Sequence, residues 1–293
     1  MTPLDYDYLR KCLKQRSGLV LTADKQYLVE SRLLPVARKV GLVNLTALVN
    51  QLKRGDELLM TAVVEAMATN ESFFFRDKVP FYHFTSIIMP ALIAARRSTR
   101  TIRIWCAAAS TGQEPYSLAM CLKEMEDDLV GWRIELLASD LSGESLEKAR
   151  QGLYTQFEVQ RGLPIHFLVR YFKQTREVWE IAPELRAMVK YRQHNLLSDF
   201  SHLGVFDLIF CRNVLIYFDP ATKVDVLDRL ARATASDGYL VLGAAETVVG
   251  LTDSFKVVGE KHGLYAPNAR APKPSLPGAS KPTPRLAAVG GGR

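Results

Sequence analysis

The stretch TIRIWCAAASTGQEPYSLAM, residues 101–120, decides how the chain folds. Thr101 to Cys106 read as a buried strand, because Ile102, Ile104 and Trp105 favour extended backbone. Ala107 to Ala109 leave room for a ligand against the main chain, and Gly112 permits a tight turn. Beyond the turn, Leu118, Cys121, Leu122 and Met125 recur at helical spacing, with Glu114 in the first turn. A strand, a small-residue loop and a helix in that order form the nucleotide crevice of an open α/β sheet, and they also form any ordinary crossover. One glycine is not a dinucleotide fingerprint, which points away from a pyrophosphate-bearing ligand.

Outward from this point, strands and helices alternate from about residue 87 onward. Strands are expected near 101–107, 133–139, 188–194, 206–212 and 238–243, with a closing antiparallel hairpin in FKVVGEKHGLYAP. That alternation predicts an α/β fold with a mostly parallel sheet and helices on both faces. Residues 154–187 break the pattern. There FLVRYFKQTREVWEI has a period of two in places, which predicts a small antiparallel insert.

Up to about residue 85 the periodicity is helical. Leu33, Ala37 and Val40 share one face, and Leu59, Ala62, Val63, Ala66 and Met67 share another. Pro35 is expected to kink or restart the second helix, and Gly41 and Gly55 to stop helices. The division expected is therefore a helical domain over 1–85, an α/β domain over 86–267 and a tail over 268–293. The tail is rich in Pro, Ala and Gly without aromatic residues, a composition expected to be disordered.

The chain has 293 residues and a net charge of +7. Arg270, Lys273, Lys281, Arg285 and Arg293 in the tail carry five of those seven charges, so the remainder is only slightly basic. A nucleic-acid partner is therefore not expected. No apolar run is long enough to span a bilayer and the N-terminus lacks a signal-peptide pattern, which predicts a cytoplasmic protein without direct membrane insertion. Cys12, Cys106, Cys121 and Cys211 are scattered and form no CxxC, so neither zinc nor any other metal is expected.

Chemistry concentrates at the carboxyl ends of the predicted strands. Asp140 closes RIELLASD, where an acid can accept hydrogen bonds from two ribose hydroxyls or can cap the following helix. Asn195, in HNLL, offers an amide to an adenine edge or simply makes a turn. Arg212 and Asn213 interrupt the apolar run of FDLIFCRNVLIYFD and face the ligand or a buried partner, and Tyr217 follows. In TNESFFFRD, residues 69–77, Arg76 can hold a carboxylate in two hydrogen bonds, while Glu114 can meet an ammonium. Ribose, adenine and amino-acid recognition in one pocket describes S-adenosylmethionine.

The segments TNESFFFRD, WCAAASTGQEPYSLAM, LASDLSGESLEKARQGLY, HNLL and FDLIFCRNVLIYFD, in this order, resemble the CheR family of chemotaxis receptor methyltransferases. The resemblance implies a class I S-adenosylmethionine-dependent methyltransferase fold, Rossmann-like with a mostly parallel seven-stranded sheet. An N-terminal all-α domain and a small antiparallel β-subdomain insert go with it. It further implies methyl transfer to glutamates on cytoplasmic helices of membrane chemoreceptors, with S-adenosylhomocysteine as product. Carried over, the cofactor contacts fall on Asn70, Ser72, Arg76, Glu114, Asp140, Asn195, Leu196, Arg212 and Asn213, with Tyr217 and Arg212 beside the methyl-transfer position. Arg32 and Arg38 of the helical domain are expected to meet the acidic receptor, and a monomer is expected. Ser72, Ala108, Ala109 and Gln113 stand where the family usually has Thr, Gly, Cys and Glu. The insert lacks the glycine-rich loop of members that dock a receptor pentapeptide, so no such tether is expected. The same cofactor pocket would also serve a methyltransferase of RNA or DNA, or a non-catalytic cofactor-binding adaptor; a base-holding motif at the fourth strand, needed for the former, is missing.

Overall fold

A computed structural model describes residues 1–268; the tail expected to be disordered lies outside the described residues, save Asn268. Four helices come first: α1 (Pro3–Ser17), α2 (Gln26–Lys39), α3 (Leu45–Lys53) and α4 (Glu57–Met67). Each of α1, α3 and α4 starts on a side-chain cap, from Thr2, Asn44 and Asp56, which satisfies an amide the helix leaves unpaired. Leu9, Leu13, Val29, Leu33, Leu48, Val49 and Val63 from all four are fully buried together. Helix α2 continues through Pro35 to Lys39. The expected restart does not occur there, because Val29, Leu33 and Ala37 hold one continuous face against the other helices, which offsets the amide that proline lacks.

Ten strands follow: β1 (Thr101–Cys106), β2 (Arg133–Asp140), β3 (Leu153–Thr155), β4 (Phe172–Thr175), β5 (Val178–Ile181), β6 (Val189–Gln193), β7 (Phe206–Cys211), β8 (Thr234–Leu242), β9 (Phe255–Val257) and β10 (Leu264–Pro267). Seven form one sheet in the order β6-β2-β1-β7-β8-β10-β9. The first five in this order run parallel, and β10 is antiparallel to both β8 and β9, as the hairpin reading anticipated. Alternation along β1 sends Ile102, Ile104 and Cys106 into the core on one face and Trp105 into the core on the other. Trp105 can be buried because its indole N–H donates to Ser139 Oγ at 2.9 Å.

The strand order reverses between β1 and β7, since β2 and β6 lie to one side and β8 to the other. A crevice at the carboxyl ends of β1 and β7 follows from that reversal. The packing also changes near residue 68: the four-helix core ends at Met67, whereas Phe74, Phe75, Phe81, Phe84 and Leu92 pack into the core of the sheet. We propose the domain division there, ahead of the residue 85 expected from helical periodicity alone.

The insert is a three-stranded antiparallel sheet in the order β3-β5-β4. One part of its reading is corrected. Residues Ile165–Tyr171 are helical, begun by Pro164, and they bury Phe167, Leu168 and Tyr171 on one side. Aromatic spacing in FLVRYF fits both periods over so short a run, and burial against Phe75 and its neighbours selects the helix.

Candidate active site

Loops from the carboxyl ends of four parallel strands, together with the segment joining the helical domain to the sheet, enclose a cleft with about 980 Å³ of open space. Asn70, Ser72, Arg76, Glu114, Asp140, Asn195, Leu196, Arg212, Asn213 and Tyr217 all line it, so residues spread over 148 positions of sequence meet at one place. Ala107 and Ala108 line it too, and their small side chains leave the main chain accessible.

The first wall is the turn after β1. Gly112 has φ +96°, and a Cβ there would sit 2.9 Å from Ala149 Cβ and 3.0 Å from the hydroxyls of Tyr154 and Tyr191. Only glycine meets both demands. Ser110 takes a left-handed φ of +50°, held by two contacts: its N–H donates to Asp140 Oδ2 at 2.8 Å and its hydroxyl to the Asn70 carbonyl at 2.8 Å.

Asp140 is buried at the end of β2. Its other oxygen accepts from the Ser142 N–H at 3.0 Å, while Ser142 itself caps the next helix, so Asp140 shapes two loops without being the cap. Burial raises its carboxyl pKa, against the lowering by the backbone amides of Ser142 and Ser110. Asn195 bridges the cleft floor to the helical domain, donating to the Arg16 carbonyl at 2.6 Å and accepting from the Leu197 N–H at 3.0 Å.

The polar centre is Arg212. Its side chain is 1% exposed, and it donates to Glu114 Oε2 at 2.8 Å, to Asp77 Oδ2 at 2.7 Å and to the Arg76 carbonyl at 2.9 Å. The expensive interruption of an apolar strand is thus paired within the protein. Burial raises the pKa of Glu114, and Arg212 opposes that rise. Glu114 Oε1 is buried without a hydrogen-bond partner among the described residues. Arg76 donates to the Glu71 carbonyl at 3.0 Å and lies 5.4 Å from the Phe73 ring.

Arg32 does not line the cleft itself but braces three residues that do, at the end of α4, donating to the carbonyls of Met67 at 2.7 Å and Ala68 at 3.2 Å and to the Thr69 hydroxyl at 3.3 Å. Arg32 and Arg38 both stand on α2, and Arg38 is exposed there. Replacing Arg32 with Ala should destabilise the chain by about 1–2 kcal/mol, since it strips two helix-end carbonyls of their donor. A thermal midpoint equal to that of the parent chain contradicts this placement.

Five further residues shape the site without having stood out in the sequence. Asp77 adjoins Arg76 and pairs with Arg212. His194 lines the cleft, packs on Phe200, and is held below the usual histidine pKa chiefly by burial. Ser17 and Leu19 close the cleft from the helical domain, at a distance in sequence that no local pattern reveals. Glu246, four residues beyond the end of β8, does not line the cleft but holds the turn after β7.

An open parallel sheet with an acid after the second strand, a tight turn after the first and a buried carboxylate facing the cleft defines an S-adenosylmethionine-dependent methyltransferase. Residues 70–264 match the CheR methyltransferase, SAM binding domain, and residues 4–68 match the CheR methyltransferase, all-alpha domain. The chain is 40% identical over 258 residues to chemotaxis protein methyltransferase 1 of Pseudomonas aeruginosa, covering 87% of this chain and 94% of that one. It is 39% identical over 264 residues to chemotaxis protein methyltransferase 1 of Vibrio cholerae, covering 88% and 95%. With the chemotaxis protein methyltransferase of Escherichia coli it shares 36% identity over 259 residues, covering 86% and 87%. The chain belongs to the CheR methyltransferase family.

Proposed function

We propose that this chain transfers the methyl group of S-adenosylmethionine to glutamate side chains on the cytoplasmic helices of membrane chemoreceptors. It would act in the cytoplasm as a monomer, without a metal, and release S-adenosylhomocysteine. The observation that carries this reading is Glu114 Oε1, a buried carboxylate oxygen in the cleft with no partner of its own. The donor set fits the cofactor: an ammonium would satisfy that oxygen, Asp140 has lone pairs left for ribose hydroxyls, and Leu196 and Asn195 offer an apolar face and an amide for the base. Arg76 would hold the amino-acid carboxylate. When bound, the cofactor supplies an electrophilic methyl carbon.

A glutamate side chain has an ordinary pKa of about 4.3, so the attacking carboxylate is already ionised at neutral pH and needs no strong base. The protein's task is to position and to exclude water, which together can lower a barrier by several kcal/mol. Tyr217, half-buried at the cleft wall, would orient the incoming carboxylate without taking a proton. Its main chain is tied to the helical domain, its carbonyl accepting from the Val20 N–H at 3.0 Å. Exposed Arg38 would guide the acidic receptor toward the cleft, an effect on encounter more than on affinity. Among the described residues no helix is long and apolar enough to cross a membrane, so contact with the receptor would be made from outside the bilayer.

The test is transfer of tritiated methyl from the cofactor to receptor-containing membranes. The expected label is released as methanol by mild base, because it sits in an ester; base-stable label or none contradicts the reading.

Acid should weaken cofactor binding. The free protein raises the pKa of Glu114 above the ordinary glutamate value, chiefly by burial, whereas a bound ammonium favours the ionised form. Binding therefore releases a proton, and affinity is lost as pH falls through the raised pKa of the free protein. Asp140 is shifted the same way and adds to the effect. Calorimetric titration of S-adenosylhomocysteine at a series of pH values should show Kd rising on the acid side, and Glu114→Gln should remove part of that slope. A flat profile in the parent chain contradicts the ammonium contact.

A further inference from the structure

The turn that follows β7 carries five of the cleft residues, and it is held by a carboxylate that does not itself line the cleft. Glu246, buried in the loop after β8, accepts five backbone N–H groups. Its Oε2 takes Asn213 N at 2.7 Å and Gly243 N at 2.8 Å. Its Oε1 takes Leu215 N at 2.8 Å, Val214 N at 2.9 Å and Ile216 N at 3.3 Å. Four of these donors are consecutive, and the first belongs to Asn213 in a left-handed backbone at φ +57°. Successive amides turned inward in this manner make a concavity for an anion, and the protein fills it with its own carboxylate.

We propose that Glu246 is a positioning residue for methyl transfer, clamping the 213–217 turn so that Tyr217 faces the reacting carboxylate. The inference rests on the function proposed above and adds the part that fixes its geometry. Arg212, one residue earlier, is tied independently to Glu114 and Asp77, and Asp140 and Glu114 stand on other elements. The clamp therefore acts on Asn213 to Tyr217 and leaves most of the cofactor contacts in place. A glutamine cannot replace it. One oxygen would become an NH₂ group and point donors at donors on one side of the turn.

Gly243 gives a second way to open the clamp without removing charge. A Cβ there would lie 2.8 Å from both Glu246 Oε2 and Asn213 Nδ2 and 3.0 Å from Asn213 N. Gly243→Ala wedges the carboxylate away from the turn, and it remains informative if Glu246→Gln does not fold.

The experiment measures kcat with receptor membranes and Kd for S-adenosylhomocysteine by calorimetry. The full-length chains compared are the parent, Glu246→Gln, Gly243→Ala, Tyr217→Phe and the double variant Glu246→Gln with Tyr217→Phe. Misplacing a reacting partner by about 1 Å costs about 10²-fold. The expected result is a loss of about 10²-fold in kcat for Glu246→Gln and for Gly243→Ala, with Kd raised no more than about tenfold. In the Tyr217→Phe background the further loss on adding Glu246→Gln should be small, because both changes remove the same placement. Losses that multiply, or a Kd that rises in step with the fall in kcat, overturn the proposal in favour of a general structural role. Failure of the parent chain to form base-labile methyl groups overturns the proposed function itself; an active parent alongside an equally active Glu246→Gln overturns only the clamp.

Discussion

Arg212→Met should lower stability at neutral pH by about 3–5 kcal/mol, because it removes one partner of a buried ion pair and leaves the other uncompensated. Glu114 is the residue left behind, with its pKa already raised by burial and its Oε2 accepting from Arg212 at 2.8 Å. Asp77 is more exposed and can turn to water. Without Arg212 the carboxyl of Glu114 rises further, so the folded state favours its protonated form. The sign follows: the deficit is largest well above that pKa and shrinks as pH falls through it. Urea unfolding monitored across pH checks this, and adding Glu114→Gln to Arg212→Met should restore part of the loss. A deficit independent of pH, and unmoved by the second change, contradicts a buried pair at this position.

Asp140→Ala should raise Kd for S-adenosylhomocysteine by about 10²-fold or more. Hydrogen bonds to a charged acceptor contribute about 1.5–3 kcal/mol each, and two ribose hydroxyls would lose theirs. A second loss comes from the protein. Asp140 holds the N–H of Ser110, a non-glycine residue in left-handed backbone, and that of Ser142 at the start of the next helix. Removing the carboxylate frees Ser110 to relax toward commoner dihedrals and lets the loop that faces the ligand move. The cost should therefore exceed the hydrogen bonds counted alone. Calorimetry on the folded variant measures it, and an unchanged Kd would take Asp140 out of the site.

Much of this was legible in the chain because local chemistry and topology agreed. The run from Thr101 to Met120 announced a strand, a turn and a helix, and Asp140, Asn195 and Arg212 each stand at or just past the end of an expected strand with Tyr217 shortly after, so the carboxyl-edge rule for open sheets gathers them in one place. Three matters were not legible. The period of FLVRYF was decided by burial against Phe75, a contact 92 residues away in sequence from Phe167. Arg32 looked like one cation among several on a helix; that it ends α4 depends on how two helices pack. Glu246 stood in VLGAAETVVG without any neighbour to mark it, and its five donors come from two separate loops brought together by the pairing of β7 with β8. Residues whose partners are distant in sequence are the ones a linear pattern cannot assign.

The cleft at the strand ends takes a sulfonium nucleoside, on this reading, and is completed by Glu114 and Asp140. Isothermal titration of S-adenosylhomocysteine into the folded full-length chain tests it most directly. Saturable one-site binding at neutral pH that weakens on Asp140→Ala and on acidification is the expected outcome; a folded chain that takes up no ligand overturns the assignment of the cleft.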